Sequence, residues 1–450
     1  MNGKHEIDMT TGALPPKILR FAIPYMLTGM LQIMFNAADN AVIGAFDGSN
    51  ALAAVGSTGS ITNFAVNLFM GLSVGTNVVL SKAIGSSQKK TCEEAVHTAM
   101  CLSIIIGVFL SFAGFFLART FLGFLNCPAE VMDLADIYLK IYFLGMPTIS
   151  AYNFSASILR SKGDTQRPLI YLSVSGVLNV VLNLILVIVF KLSTAGVAIA
   201  TTVSQYLSAF LTLRALTREN DMCRLEIKRL RIVPHMAANL LRIGVPASIQ
   251  GLMFSISNIS IQGSVNTFGA DAMAGVGAAS SLNNIVWNTI SAFGQSSLAF
   301  TGQNYGARKF KRIKLVYLWS VAIMIGCWAL VAIVIRLNAE PLIKLFIPHN
   351  INALEYARTS VFMLSMTYVI AGIMEINVGM LRGLGQSAIP AAISIFGICG
   401  IRILWVNTIF TKIHTFRCLY ISYPVTWAVT ALLLAVCLVV VYKKRLKNSR

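Results

Sequence analysis

The stretch Leu19-Arg20-Phe21-Ala22-Ile23-Pro24 recurs later in the chain as Leu241-Arg242-Ile243-Gly244-Val245-Pro246. A second stretch, Leu159-Arg160-Ser161-Lys162-Gly163, recurs as Leu381-Arg382-Gly383-Leu384-Gly385. The two prolines and the two final glycines are separated by the same interval of 222 residues. A shared interval indicates an internal duplication, so we expect the two halves to fold alike. Tandem repeats of membrane helices are typical of transporters, with the substrate site at the repeat interface.

The composition predicts a protein that lies in a lipid bilayer. Hydrophobic residues make up 56% of the 450 residues and charged residues only 12%, whereas soluble proteins carry about 25% charged residues. Twelve apolar runs have the length of about 20 residues that crosses the hydrocarbon core, six in each half. We therefore predict an all-α integral membrane protein with twelve transmembrane helices in two six-helix lobes related by an internal repeat.

The net charge of +19 follows membrane topology and does not indicate a nucleic-acid partner. If the N-terminus is cytoplasmic, most lysines and arginines fall in loops on the inner side, as the positive-inside rule requires. An even number of spans then places both termini in the cytoplasm. We expect a multi-pass protein of the inner (plasma) membrane. The polar first 16 residues lack a cleavable signal pattern, so we also expect the first span to be retained.

The longest polar stretch divides the chain into two predicted domains. We expect an N-terminal lobe at residues 1–216, a cytoplasmic basic linker at 217–240 and a C-terminal lobe at 241–450. Apolar residues alternate with basic ones between Arg224 and Ile232, a pattern that suits an amphipathic segment at the inner membrane surface. A plain tether explains the linker equally well.

The sequence contains no motif for catalysis or for a cofactor. It has no Walker loop, no zinc-ligand spacing and no clustered Ser-His-Asp set. The eight cysteines are scattered without paired spacing, so we expect small buried residues and not disulfides or metal ligands. We predict no enzymatic activity, no catalytic residues, no metal site and no cofactor. The energy for transport would then come from an ion gradient.

Ionisable groups inside a span are candidates for function because each costs several kcal/mol in hydrocarbon. Asp39 lies near the outer end of the first span, and we expect Asn153, Asn179, Asn183 and Thr201 to face it. Asn179 and Asn183 are four residues apart and so share a helix face. Such a group of oxygens can hold a sodium ion, or the carboxyl group can exchange a proton. The alternative is an aspartate at the end of a span that simply faces external water.

The second lobe carries its own charged pair. Glu375 corresponds to Asn153 at the 222-residue interval, and Arg402 is the expected partner that neutralises it. Such a buried ion pair could be architectural, since removing one partner is strongly destabilising. It could instead bind substrate or a proton.

Amides that recur across the repeat suggest a substrate cleft, with Asn36 matching Asn258. Hydrogen bonds between helices would explain these amides equally well. Pro24 in the first span is the expected hinge. The predicted cleft residues are Gln32, Asn36, Asn63, Asn67, Asn258, Asn284, Trp287 and Asn288.

These motifs resemble the multidrug and toxic compound extrusion (MATE) transporters, and most closely their DinF-like bacterial branch. The matching stretches include Asp39 to Gly44, Ile158 to Thr165, Gly302 to Ala307 and Leu381 to Gly385, in order across essentially the whole chain. The resemblance implies a V-shaped arrangement of two six-helix lobes. It also implies that small cationic or amphipathic organic compounds leave the cell in exchange for H⁺ or Na⁺ by alternating access. We expect the protein to act as a monomer.

The resemblance also implies a first-lobe cation site. In the DinF-like branch this site combines an acid on the first helix, an amide on the fourth and an Asn-x-x-x-Asp pair on the fifth. The pattern carries over to Asp39, Asn153 and Asn179, but Asn183 stands where the second acid is expected. Asp39 is then the only first-lobe carboxylate of the site, and the identity of the coupling ion is left open.

Two other classes of function compete with drug efflux. A flippase for a lipid-linked precursor would need several cationic residues to bind pyrophosphate, and only Arg402 is a candidate. A membrane scaffold without transport activity is the third class. The presence of Asp39, Asn153 and Glu375 counts against that class.

Overall fold

The computed structural model describes residues 5–125, 127–344, 347 and 350–447, and this part of the chain is helical without β-strands. The described residues of the first half form six helices. They are α1 (Leu14–Phe46), α2 (Ser49–Gly85), α3 (Lys89–Phe124), α4 in two segments (Ala129–Leu144 and Met146–Ser161), α5 (Gln166–Asn183, continued by Leu184–Val189) and α6 (Ser193–Thr217).

The second half repeats this order after a short 3₁₀ turn at Ile227–Arg229. A short helix at Ala339–Lys344 follows the third helix of this half. The six long helices are α7 (Pro234–Asn266), α8 (Ala270–Gly306), α9 (Phe310–Leu337), α10 (Ile351–Gly383), α11 (Ala388–Ser394, Ile395–Gly400, Ile401–Trp405 and Val406–Phe410) and α12 (Phe416–Lys447).

All twelve predicted spans coincide with these helices. Within the described residues, ten helices are long and apolar enough to cross a membrane by length and composition. The other two are α4, which is divided at Gly145, and α8, which has 37 residues rich in small and polar side chains. The predicted all-α membrane fold with twelve transmembrane helices is therefore confirmed.

The internal repeat is visible in the backbone dihedral angles. Gly48 before α2 and Gly269 before α8 both have φ of 89°. Gly163 after α4 and Gly385 after α10 have φ of 89° and 86°. Only glycine adopts such angles without a steric cost. The turns that begin and end equivalent helices therefore have the same geometry in both halves, which confirms the predicted repeat.

Both halves also contain a π-helical turn in their fifth helix. Leu184–Val189 ends α5, and Val406–Phe410 ends α11 at the equivalent position. A further π-helical turn, Ile395–Gly400, lies just before Arg402 in α11. Such turns are rare and are frequently found at functional sites. Here they flank Asn183 and Arg402, two of the residues singled out by the sequence.

Contacts divide the described chain into two compact units. Unit 1 contains residues 5–8 and 27–248, and unit 2 contains residues 9–26 and 249–447. The chain changes unit within α1, two residues after Pro24, and within α7, two residues after Pro246. Proline removes one hydrogen bond from a helix interior, so both changes lie where the helix is locally weakened. The lobe boundaries expected from the sequence, at 216 and 241, stay a prediction.

In each unit, glycines allow the backbones of neighbouring helices to come into direct contact. In unit 1, a Cβ atom added to Gly75 of α2 would lie 2.2 Å from the carbonyl oxygen of Leu240 in α7. In unit 2, a Cβ added to Gly379 of α10 would lie 2.1 Å from the carbonyl oxygen of Gly294 in α8. Small residues allow membrane helices to approach this closely.

Candidate functional site

Asp39 lies near the end of α1 and is buried within unit 1, with 9% of its surface exposed. Asn183, the last α-helical residue of α5, donates from Nδ2 to Asp39 Oδ1 at 2.5 Å. Thr201 of α6 donates from Oγ1 to Asp39 Oδ2 at 3.4 Å. Three helices thus contribute to one buried carboxylate site. An aspartate that faces open water does not fit this burial.

Asn179 closes the hydrogen-bond network around this carboxylate. Its Oδ1 accepts a second bond from Asn183 Nδ2 at 3.3 Å, and its own Nδ2 donates to Thr201 Oγ1 at 3.3 Å. The shared face predicted for Asn179 and Asn183 is therefore present, since the two side chains are in direct contact. Four of the five residues expected around the first-lobe cation site are in one network.

One oxygen of this network has no donor. Asn183 is fully buried, and its Oδ1 has no hydrogen-bond partner in the described part of the chain. A buried acceptor without a partner costs about 1–3 kcal/mol. Together with the two carboxylate oxygens of Asp39, it provides the kind of oxygen ligands that hard cations prefer. It could equally accept a proton from a neutral Asp39 carboxyl group.

Asn153 makes a different contact. Its Nδ2 donates to the carbonyl oxygen of Ile149, one turn earlier in α4, at 2.8 Å. This intrahelical bond does not reach Asp39. Participation of Asn153 in the cation site therefore stays a prediction.

Two tyrosines of α4 interact with the site and were missed by the sequence analysis. The rings of Tyr138 and Tyr142 are stacked at 6.1 Å with an interplanar angle of 11°. The charge of Asp39 acts electrostatically on both phenol groups. The available signal was the four-residue spacing of two tyrosines in one span, which places both on the same helix face.

The predicted ion pair in the second half is wrong. Among the described residues, Arg402 forms no ion pair with Glu375. The Arg402 Nη1 atom donates to Ser257 Oγ and to Asn258 Oδ1, both at 3.2 Å, and the guanidinium lies 4.2 Å from the centre of the Tyr423 ring. The π-helical turn immediately before Arg402 changes the register of α11, and the sequence did not reveal it.

Glu375 is accompanied by a different arginine. The charge of Arg382, two helical turns along α10, acts on Glu375. Arg382 also donates from Nη2 to Gln250 Oε1 at 2.8 Å. Glu375 and Arg402 therefore lie in two separate groups of residues. Their role as a second-lobe polar site stays a prediction.

Five of the eight predicted cleft residues are exposed, and the other three are partly buried. Asn258 and Asn284 in unit 2 are exposed, as are three residues of unit 1, Gln32, Asn36 and Asn63. The remaining three, Asn67, Trp287 and Asn288, are partly buried. Exposed amides on membrane helices suit polar surroundings because an amide without a hydrogen bond is costly in lipid. Their role in a substrate cleft stays a prediction.

A buried cluster of charges lies in the loops of unit 1 and was also missed. Lys162 Nζ contacts Glu6 Oε1 at 2.5 Å, Glu219 Oε2 at 2.6 Å and a carboxylate oxygen of Asp221. The side chains of Lys162 and Glu219 are each only 4% exposed. Arg167 forms further ion pairs with Glu219 and with Asp164.

The charges of this cluster stabilise one another. Burial alone would raise the pKa of Glu219, but hydrogen bonds and charges from Lys162 and Arg167 outweigh burial and lower it. Burial alone would lower the pKa of Lys162, but its hydrogen bonds to Asp221, Glu219 and Glu6 raise it. The surroundings thus favour the charged forms of Lys162 and Glu219. The cluster joins the N-terminal segment, the loop after α4 and the start of the linker.

Two relatives with assigned names are similar to the chain over most of their length. The probable multidrug resistance protein YoeA of Bacillus subtilis (strain 168) is 26% identical over 441 residues, which cover 94% of this chain and 93% of the relative. A protein of Shewanella oneidensis named FAD transporter is 25% identical over 336 residues, covering 73% of this chain and 74% of the relative.

Solved structures share the fold. One, described as the outward-facing conformation of a multidrug resistance MATE family transporter of the MOP superfamily, superposes with a TM-score of 0.91 at 21% identity, covering 99% of this chain and 100% of the other. The family model MatE matches the chain twice, at residues 24–185 and 246–406. The two matches begin at the two repeated prolines and together span well over half of the chain. The chain belongs to the MatE family of membrane transporters.

Proposed function

We propose that the protein exports cationic or amphipathic organic compounds across the bacterial cell membrane, in exchange for H⁺ or Na⁺, by alternating access. Members of the family are transporters and not enzymes, and several relatives are named for multidrug resistance or export. The observation that carries the ion-coupling part is the buried Asp39 carboxylate, together with the Asn183 oxygen that lacks a donor.

In this proposal Asp39 alternates between a state with a bound cation and an ionised empty state. A bound H⁺ or Na⁺ neutralises the carboxylate, so the site can stay buried. Without the cation, a buried charge is costly unless water or a cationic group reaches it. The two states of the site therefore favour different arrangements of α1, and Pro24 is the proposed hinge.

The membrane potential can drive this exchange. Each elementary charge that crosses the full field is worth about 2.3 kcal/mol per 100 mV. The entry of one H⁺ or Na⁺ therefore offsets the expulsion of one monovalent organic cation. Thr201, Asn179 and Asn183 would hold the carboxylate in place, and Asn183 would supply a further oxygen to the bound cation.

Efflux of ethidium from proteoliposomes tests the proposal. The vesicles carry an imposed proton gradient in one arm and a sodium gradient in the other. We expect Asp39→Asn to abolish gradient-driven efflux. The matched control is Asp47→Asn, which changes an exposed aspartate just beyond the same helix and should leave efflux intact. Full gradient-driven efflux by Asp39→Asn would overturn the coupling role of Asp39.

The location, the orientation and the oligomeric state of the protein are part of the same proposal. We propose a location in the cell membrane with both termini in the cytoplasm, because the inner loops would then carry most of the basic residues. We also propose a monomer, and keep the DinF-like branch as the predicted position within the family.

A flippase for a lipid-linked precursor is the alternative function. It is favoured by one observation, the buried Arg402, which has no acidic partner among the described residues and could contact an anionic head group. Movement of a fluorescent lipid phosphate between the leaflets of the same vesicles would support this alternative. Efflux of ethidium without such movement would exclude it.

A further inference from the structure

Arg402 carries a positive charge inside unit 2, with no acidic counter-charge in the described ranges of the chain. Its residue surface is 3% exposed, and no aspartate or glutamate among the described residues pairs with it. Its Nε atom is buried and has no hydrogen-bond acceptor among the residues that the structure describes. A buried, unpaired arginine in a membrane helix is costly and marks a functional site by default.

The groups around Arg402 are neutral. Nη1 donates to Ser257 Oγ and Asn258 Oδ1. Most of the five N–H donors of a guanidinium therefore have no acceptor in the part of the chain that the structure describes. The Tyr423 ring lies against the guanidinium at 4.2 Å. Stacking on an aromatic ring supports the plane of the guanidinium and leaves its edge free to bind a carboxylate or phosphate with two hydrogen bonds.

The guanidinium lies close to the surface of unit 2. Asn258, which accepts one of its hydrogen bonds, is exposed, and so is Ile403, the next residue of α11. The Asn258 side chain is therefore an exposed polar group one hydrogen bond away from the guanidinium.

We propose that Arg402 anchors an anion-binding site that takes the carboxylate, sulfonate or phosphate group of an amphiphilic molecule. Ser257 and Asn258 would hold the guanidinium, and Tyr423 would provide an aromatic surface beside it. The statement that this molecule is a transported compound rests on the proposed efflux function, whereas the binding itself does not require ion coupling through Asp39. Zwitterionic and anionic compounds would then join the cationic ones as ligands.

Riboflavin and its monophosphate, FMN, form a suitable pair of probes because they differ by one phosphate group and are both fluorescent. Their binding is measured by fluorescence polarisation on the purified full chain in nanodiscs of zwitterionic phosphatidylcholine. We expect FMN to bind at least about tenfold more tightly than riboflavin, as one charge-assisted, two-point hydrogen bond would give. Equal affinities for the two probes in the wild-type protein would overturn the proposal.

Three variants assign the preference to Arg402. Arg402→Gln should remove it, and Arg402→Lys should keep part of it because the charge remains. Asn258→Asp keeps the shape of the side chain but places a carboxylate beside the guanidinium, so it should abolish the preference without removing a buried group. Arg336→Gln is the matched control, since Arg336 is an exposed arginine over the Phe362 ring. A preference for FMN that survives both Arg402→Gln and Asn258→Asp would contradict the assignment.

A binding measurement in a second lipid composition identifies the source of the anion. Nanodiscs that contain anionic phosphatidylglycerol should release FMN if the natural anion is a lipid phosphate, and should retain it if the anion belongs to a soluble organic compound. Both results support an anion site at Arg402. The Asp39→Asn protein should keep the full preference for FMN, so a failure of ion-coupled efflux and a failure of this site remain distinguishable.

Discussion

Replacement of Lys162 by methionine tests the buried charge cluster of unit 1. The variant keeps the apolar part of the side chain. It leaves Glu219, 4% exposed, with Arg167 as its one cationic partner among the described residues. Removal of one partner from a buried ion pair costs about 3–5 kcal/mol. Glu6 and Asp221 are 31% and 32% exposed and can be hydrated, so we expect the low end of this range, about 3 kcal/mol.

The assay is the thermal unfolding midpoint of the detergent-purified protein, measured at one scan rate because unfolding of such proteins is commonly irreversible. Lys89→Met is the control, since the Lys89–Glu93 pair is 3.8 Å long with side chains 76% and 37% exposed and should contribute about 0–1 kcal/mol. Adding Glu219→Gln to Lys162→Met should restore part of the loss because the buried carboxylate that lost one of its cationic partners is gone. Equal unfolding midpoints for Lys162→Met and Lys89→Met would show that the buried ion pairs of Lys162 do not stabilise the protein.

Three further predictions follow from packing, from the cation site and from the charge cluster. Gly379→Ala should lower the unfolding midpoint because its Cβ would lie 2.1 Å from a carbonyl oxygen of α8, whereas Gly277→Ala, whose Cβ meets nothing within 4 Å, should not; equal midpoints would contradict the packing. Asn183→Asp adds a carboxylate beside the α1 aspartate, so the cation concentration for half-maximal efflux should fall by about tenfold. Asn153→Asp should lower that concentration less, because the Asn153 side chain bonds within α4. A larger fall for Asn153→Asp than for Asn183→Asp would show that Asn183 is the wrong amide. Because the pKa of Glu219 is lowered in the folded protein, its contribution to stability is present above its unfolded pKa of about 4.3 and is lost as the pH falls through the lower folded value. The wild-type midpoint should therefore fall more steeply on acidification below about pH 4 than that of Glu219→Gln, and parallel pH profiles would contradict this role.

Features that depend on neighbouring residues could be predicted from the sequence. Apolar run length located the spans because a helix must be long enough to cross the hydrocarbon core. Helical periodicity placed Asn179 and Asn183 on one face, and their side chains are in contact. The duplication could be predicted because matching motifs recur at an interval of 222 residues. Gly163 and Gly385 recur at this interval because equivalent turns need the same backbone conformation.

Features that depend on contacts between distant segments could not be predicted in this way. The sequence assigned Arg402 to Glu375 because opposite charges in lipid are expected to pair, but a π-helical turn before Arg402 has no clear sequence signature. The ion pairs of Lys162 join segments that are far apart along the chain. Tyr138 and Tyr142 lie on the same helix, α4, as Asn153, but their place beside the Asp39 site depends on how α4 packs against α1.

The proposed transport cycle couples ion movement and substrate movement through Asp39. The most direct measurement runs the exchange in reverse, with an ethidium gradient imposed across sealed proteoliposomes. Counter-movement of H⁺ is followed with a pH-sensitive dye, and that of Na⁺ with radioactive sodium. We expect the ethidium gradient to drive one of these ions in the opposite direction in the wild-type and Asp47→Asn proteins. In Asp39→Asn it should drive neither ion. Undiminished ion counter-movement in Asp39→Asn would contradict coupling through Asp39.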